Sequence, residues 1–111
     1  MNQPVATIDV RSAHDLHETG SVVLLDVREP EEWAAGHAPG ALHVPLGDLD
    51  PTRIAGDEVL VLCRSGNRSG RATATLTEAG VRARNVEGGM QAWLEADLPV
   101  VAPGGGTGTV A

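Results

Sequence analysis

The 111-residue chain contains no lysine, phenylalanine or tyrosine, and it has a single cysteine. Without lysine, the protein cannot form a Schiff base and lacks the phosphate-binding lysine of a Walker-type loop. Its two tryptophans cannot supply the row of rings on which nucleic acid bases stack. One cysteine permits neither an internal disulfide nor a multi-cysteine zinc site.

Positive charge is scarce as well, with eight arginines against fifteen carboxylates and a net charge of -7. General attraction to nucleic acid or to an anionic membrane is therefore not expected. No apolar run approaches the roughly 18 residues that span a bilayer, and the amino terminus lacks the basic-then-apolar pattern of a secretory signal. We expect a cytoplasmic protein without a nucleic acid or membrane partner.

Strand-like and helix-like segments alternate along the chain, which is typical of parallel strands joined by crossover helices. Buried strands are predicted over 22–25 and 58–62, where apolar residues follow one another without alternation. The remaining strands are predicted over 6–10, 42–44 and 84–87. Helices are predicted over 13–18, 30–35, 48–54, 69–79 and 88–96. The length suits one domain, an α/β domain that we place at residues 1–102.

The last nine residues, PGGGTGTVA, are rich in glycine and have no apolar pattern. Segments of this composition cannot bury enough apolar surface to offset the entropy of ordering them. We therefore predict a disordered tail over residues 103–111.

The single cysteine directly follows one of the predicted buried strands. Ligands of α/β sheets bind outside the carboxyl ends of the strands, so Cys63 is a candidate for a functional site. Residues 64–68 must turn sharply before the next helix, and Gly66 and Asn67 are the types that best tolerate left-handed backbone angles. Such a turn and the following helix direct N–H groups inward, and this environment lowers a thiol pKa from about 8.5.

Polar and charged residues surround this cysteine. Arg64 and Arg68 would attract an anionic substrate, because a guanidinium stays charged. Ser65 belongs to the same turn, whereas Ser69 at the start of the helix is expected to cap it rather than react. A free cysteine is most often a buried structural residue, but a loop of this polarity is unfavourable to bury. We interpret residues 64–69 as a substrate-binding loop around a reactive Cys63.

Asp26 and Arg28 end a neighbouring predicted strand and could reach the same pocket. The alternative is an ordering role, in which Arg28 pairs with Glu32 at i, i+4 spacing and Asp26 accepts backbone N–H bonds. We favour the ordering role, because ion pairs commonly stabilise loops in this way.

The histidines and tryptophans offer no further site. His37 and His43 lie near a turn, but their spacing is not typical of a metal site, so no metal is expected. Trp33 and Trp93 occupy apolar faces of predicted helices, and we assign both to core packing.

The loop sequence CRSGNRS closely resembles the active-site loop of single-domain rhodaneses, and the resemblance covers nearly the whole chain, from about Thr7 to Val101. Three longer segments carry it: LLDVREPEEWAAGHAPGALHVP (24–45), VLVLCRSGNRSGRA (59–72) and NVEGGMQAWLEADLPV (85–100). The resemblance implies a central, mostly parallel five-stranded sheet with helices on both faces. It also implies a catalytic Cys63 that carries sulfane sulfur as a persulfide, and no metal or organic cofactor.

Loop length separates two enzyme classes with this resemblance. Cys63 and Arg68 enclose four residues, whereas phosphatases on the same fold use five to cradle a phosphate, so the tighter ring favours sulfur transfer. The absence of a second cysteine disfavours redox and arsenate reductase chemistry. A non-catalytic binding module is a further alternative, although such modules usually lack the cysteine. The sequence thus predicts a sulfurtransferase that moves sulfur from a small anionic donor such as thiosulfate to cyanide, a thiol or a protein.

Overall fold

Five parallel strands form one sheet in the computed structural model, which describes residues 5–54 and 58–110. The strands are β1 (Thr7–Ile8), β2 (Val23–Asp26), β3 (Leu42–His43), β4 (Val59–Leu62) and β5 (Ala83–Val86). The helices are α1 (Val10–Glu18), α2 (Pro30–Ala35), α3 (Asn67–Glu78) and α4 (Gly89–Glu95). The strand order is β1-β5-β4-β2-β3 and every neighbouring pair is parallel, which confirms the predicted α/β class.

Strand β4 lies at the centre of the sheet and is covered on both faces. Leu60 and Leu62 join an apolar cluster with residues of α1 and α4, including Trp93. Val59 and Val61 join a second cluster with residues of α3. All four residues of β4 are fully buried, and this explains why the strand has no polar alternation in the sequence.

Several element boundaries differ from the prediction because of their caps. The first helix begins at Val10 rather than residue 13, since Asp9 is the N-cap and its carboxylate accepts the Ser12 N–H at 3.1 Å. The predicted strand over 6–10 is correspondingly shorter. The segment 48–54 is no helix, but contains parts of two 3₁₀ turns, Leu46–Asp48 and Pro51–Arg53.

Among the described residues, no helix has the length and apolar character to cross a membrane.

Residues 103–110, for which the composition predicts disorder, instead turn back onto the domain. Val101 forms antiparallel bridges with both His37 and Thr107. The Thr109 N–H donates to the Ala35 carbonyl at 2.9 Å, and Gly108 is buried. Composition misses this segment because backbone hydrogen bonds hold it, and these have no side-chain signature. We propose that residues 103–110 belong to the folded domain.

Gly36 provides a direct test of this proposal, because a Cβ added there would overlap the backbone of Thr109. Truncation after Ala102 is expected to lower the melting temperature, and Gly36→Ala should lower that of the full chain by about 5–10 °C through overpacking. In the truncated chain the same substitution should have a much smaller effect. Thermal unfolding of the four proteins measures this coupling, and strictly additive effects would show that the segment does not contact Gly36.

Candidate active site

Cys63 directly follows β4, and its Sγ faces the turn that leads into α3. The Gly66 N–H donates to this sulfur at 3.0 Å, and the Ser69 Oγ lies 3.2 Å from it. Gly66 has a φ of 109°, a left-handed conformation that L side chains rarely adopt. The cysteine side chain is only 1% exposed, whereas Arg64, Ser65 and Asn67 are exposed. The turn therefore presents N–H and O–H donors to a sulfur that lies just beneath the surface.

These contacts change the acidity of the thiol. Burial raises the pKa of Cys63, but hydrogen bonds from the side chain and backbone of Ser69, and from the backbones of Gly66 and Ser65, lower it. The net result is a pKa below the ordinary cysteine value, as the loop chemistry predicts. The thiolate is the nucleophilic form of cysteine, so the site favours nucleophilic attack by sulfur.

Ser69 does not cap α3, in contrast to the prediction, because Gly66 occupies the N-cap position. The Ser69 hydroxyl instead lies in the first turn and donates to Asn85 Oδ1 at 2.6 Å. Its single hydrogen can be donated to only one acceptor at a time. Asn85 and the sulfur of Cys63 therefore share it.

Asn85 is a site residue to which the sequence analysis assigns no role. Its Nδ2 donates to the Gly66 carbonyl at 3.1 Å, while its Oδ1 accepts from Ser69, so it holds both sides of the turn. A single asparagine on a predicted strand carries no signal of such a role. The pairing of β5 with β4 decides it, because it places Asn85 beside Val61, two residues before the cysteine.

The start of α4 packs against the other side of the loop. The Met90 N–H donates to the Cys63 carbonyl at 2.8 Å and the Gln91 N–H to the Arg64 carbonyl at 3.0 Å. Gly89 has a φ of 56°, and a Cβ there would overlap both carbonyls. The glycine pair Gly88–Gly89, directly after the predicted strand 84–87, is the sequence signal that could have identified this contact.

Arg68, predicted to face the substrate, forms a two-point ion pair with Glu32 of α2. Its Nη1 and Nη2 donate to Oε1 and Oε2 at 2.6 and 2.8 Å. These hydrogen bonds lower the pKa of Glu32 to about 2, and Glu32 in turn raises the pKa of Arg68. Since the Glu32 pKa is depressed, the pair contributes stability at neutral pH, which is lost only as the pH falls below the ordinary glutamate range toward 2.

Arg64 is the exposed cation of the loop. It directly follows Cys63, and it forms no ion pair with any residue in the described part of the chain. Of the two arginines predicted to attract an anion, the structure therefore leaves Arg64 uncompensated and pairs Arg68 with a carboxylate.

Asp26 and Arg28 form a fully buried ion pair at the end of β2. The Arg28 Nε lies 3.0 Å from both carboxylate oxygens, and its Nη2 donates to the Gly36 carbonyl at 2.7 Å. Asp26 also accepts the Arg28 backbone N–H, as expected. The expected pairing of Arg28 with Glu32 is wrong, because a buried guanidinium requires a buried counter-charge and Asp26 provides it. The pair ties β2 to the residue after α2.

Trp33 is not part of the core, in contrast to the prediction. Its ring stacks on those of both His37 and His43, with centroid distances of 3.7 and 4.6 Å. Trp93 is fully buried, as expected, and its Nε1 donates to the Pro99 carbonyl. Within residues 5–54 and 58–110, no group of three or more His, Cys, Asp or Glu side chains is arranged to hold a metal ion.

Comparison with known proteins adds independent information to this geometry. The family model described as Rhodanese-like domain matches residues 2–96. A protein named sulfurtransferase from Allochromatium vinosum is 42% identical over 95 residues, which are 81% of this chain and 88% of the relative. An uncharacterized Synechocystis protein is 38% identical over 103 residues, which are 89% of this chain and 58% of that relative, so this chain spans little more than half of its length.

A solved structure shows the same fold. The crystal structure of a rhodanese-related protein from Thermoplasma volcanium superimposes with a TM-score of 0.79 at 31% identity, and the match covers 86% of this chain and 97% of that protein.

The hydroxyl of Ser69 provides the first test of the site. Ser69→Ala removes a hydrogen bond that lowers the Cys63 pKa, so the midpoint of the pH profile for iodoacetamide alkylation should move upward and the reaction at neutral pH should slow. Ser65→Ala is the matched control, because Ser65 affects the thiol pKa through its backbone, which alanine retains. An unchanged midpoint in Ser69→Ala would show that the hydroxyl stays with Asn85 in the thiolate form.

Gly89→Ala tests the contact between α4 and the loop. The added methyl would displace the carbonyls of Cys63 and Arg64, so we expect slower alkylation of Cys63 and a lower melting temperature. Gly80→Ala is the control, because Gly80 also has a positive φ, of 88°, but nothing lies within 4 Å of its added Cβ. Both variants should lose about 1–2 kcal/mol through backbone strain. A Gly89→Ala protein with the wild-type alkylation profile would contradict the assignment.

Proposed function

This chain belongs to the rhodanese-like domain family, and from that premise we propose that it is a sulfurtransferase in which Cys63 carries the transferred sulfur as a persulfide. The observation that supports this most is the contact geometry of Cys63, whose sulfur receives the Gly66 N–H and lies beside the Ser69 hydroxyl. The name of the Allochromatium relative agrees with the proposal. Because the chain has no other cysteine, the sulfur must be carried on this residue.

In the first half-reaction, the Cys63 thiolate attacks the outer sulfur of thiosulfate or a similar donor. A new S–S bond forms between the two sulfurs, and the S–S bond of the donor breaks. Its electron pair leaves with sulfite, so the three negative charges of thiolate and thiosulfate become those of persulfide and sulfite. The positive end of α3 and the Gly66 N–H favour the negative charge on the attacking sulfur.

In the second half-reaction, a thiophilic acceptor attacks the outer sulfur of the persulfide. Cyanide would leave as thiocyanate, whereas a thiolate of a small molecule or a protein would itself become a persulfide. The S–S bond breaks, and Cys63 departs as a thiolate. A thiol with a lowered pKa is the faster leaving group, so the same hydrogen bonds assist attack and departure.

The remaining loop residues have proposed roles in binding. Arg64 is exposed and would attract the anionic donor, and the N–H groups of Ser65 and Gly66 would hold the persulfide sulfur. Asn67 begins α3 and Arg68 lies in its first turn, where both would line the entrance. No step requires a metal or an organic cofactor, since the nucleophile is ionised by the loop itself.

Mass spectrometry of the intact protein tests the proposal. Incubation with thiosulfate should add the mass of one sulfur atom, cyanide should remove it, and prior loading should block alkylation. Cys63→Ser should fold but show no loading and no turnover, because a serine hydroxyl is not ionised at neutral pH. Sulfur transfer by Cys63→Ser at the original rate would overturn the mechanism. Efficient hydrolysis of aryl phosphates without sulfur loading would favour a phosphatase instead.

A further inference from the structure

The charge on the candidate site differs from that expected of a site for a doubly charged donor. Two arginines flank the loop, but Glu32 neutralises Arg68 through two hydrogen bonds of 2.6 and 2.8 Å. The chain as a whole carries a net charge of -7. Of the two arginines that flank the loop, an arriving dianion therefore meets only Arg64 without an ion pair among the described residues.

Arg68 lies close enough to the sulfur for this to matter. Arg68 directly precedes Ser69 in the first turn of α3, and the Ser69 Oγ is 3.2 Å from the Cys63 sulfur. A donor bound for attack at Cys63 would place its remaining charge in the same region. Glu32 occupies two of the five N–H donors of Arg68 and offsets its positive charge, so Arg68 attracts that charge less strongly than a free arginine would.

The position of Glu32 is fixed in advance by α2. Its Oε1 also accepts the Glu29 backbone N–H at 3.0 Å, and the Glu32 N–H donates to the Glu29 carbonyl at 3.1 Å, so Glu32 is held at the start of the helix. Pro30 at the first helical position further restricts the backbone there. Because Glu32 is preorganised, a free anion that competes for Arg68 must pay an entropy cost that Glu32 does not.

We propose that Glu32 determines donor selectivity: by engaging Arg68 it disfavours dianionic donors such as thiosulfate and favours donors with a single negative charge, such as persulfides of thiols. The inference rests on the proposed function. A persulfide donor RSS⁻ reacts with the Cys63 thiolate as thiosulfate does. One S–S bond forms, one breaks, and RS⁻ leaves with the electron pair, so that two negative charges are present before and after the step.

Two sulfur donors that differ in net charge but transfer a terminal sulfur in the same way can test this proposal. Thiosulfate and the methanethiosulfonate anion both present a terminal sulfur on an oxidised sulfur atom, but a methyl group in the second replaces a charged oxygen of the first. Their leaving groups are sulfite and methanesulfinate. The ratio of their kcat/KM values therefore reports how the site treats the second negative charge.

The experiment compares this ratio in the wild type, Glu32→Gln and Glu31→Gln. Glutamine at 32 keeps an oxygen that can accept the Glu29 N–H, so α2 should remain capped. Glu31 is exposed on the same helix, and Glu31→Gln removes an equal charge without touching Arg68. In Glu32→Gln, kcat/KM for thiosulfate should rise about tenfold, the factor expected for one hydrogen bond between charged groups, and mainly through KM.

For the other combinations of donor and variant, kcat/KM should change little. Methanethiosulfonate with Glu32→Gln, and both donors with Glu31→Gln, should stay within about twofold of the wild type, as for a change in one exposed charge. Added salt should reduce the gain with thiosulfate. If Glu32→Gln does not fold, Glu32→Asp, which keeps the charge but shortens the reach, should produce a smaller rise in the same direction.

Several results would overturn the inference. A fall in kcat/KM with both donors would mean that Glu32 only holds Arg68 and the loop in place, and equal rises with both would mean that the second charge is not sensed. An equal rise in kcat/KM in Glu31→Gln would mean that the loss of any negative charge on α2, rather than the release of Arg68, causes the effect. Absence of sulfur loading from either donor in the wild type would instead refute the proposed function, and this inference with it.

Discussion

The left-handed turn at Gly66 is the constraint on which the candidate site depends, because it points a backbone N–H at the sulfur of Cys63. Each neighbouring element stabilises this turn. Asn85 binds the Gly66 carbonyl and the Ser69 hydroxyl from one side. The start of α4 binds the carbonyls of Cys63 and Arg64 from the other. The two donors beside the sulfur, the Gly66 N–H and the Ser69 hydroxyl, are thus held in position by the surrounding elements. Little reorganisation is therefore needed when the thiol ionises.

Two ion pairs connect this turn to the rest of the molecule through α2. The buried pair of Asp26 and Arg28 links the end of β2 to the Gly36 carbonyl, just after the helix. Glu32 in the same helix then meets Arg68 at the start of α3. Since the first pair fixes where α2 lies, it also fixes where Glu32 can reach. In this acidic chain, carboxylates therefore decide which arginine remains available near the sulfur.

Much of the fold and part of the site could be predicted from local patterns. The unbroken apolar run before Cys63 predicted a strand buried on both faces, and glycine with asparagine predicted a sharp turn. The prediction that Ser69 caps α3 was wrong: a serine near a helix start suggests an N-cap, whereas the left-handed Gly66, three residues earlier, occupies the N-cap position. Trp33 was assigned to the core because its helical position is apolar, but its neighbours in space are two histidine rings.

The sequence by itself determined the α/β class, the place of the lone cysteine directly after a buried strand, and the family, because these depend on strand periodicity and on a contiguous loop motif. Only the tertiary structure decided which polar groups meet. Ser69 and Asn85 are 16 residues apart along the chain, and Arg68 and Glu32 are 36 apart. Each pair comes into contact only when the sheet adopts the order β1-β5-β4-β2-β3. A local pattern cannot encode such contacts, since the partner of a charged or polar side chain depends on which strands and helices become neighbours.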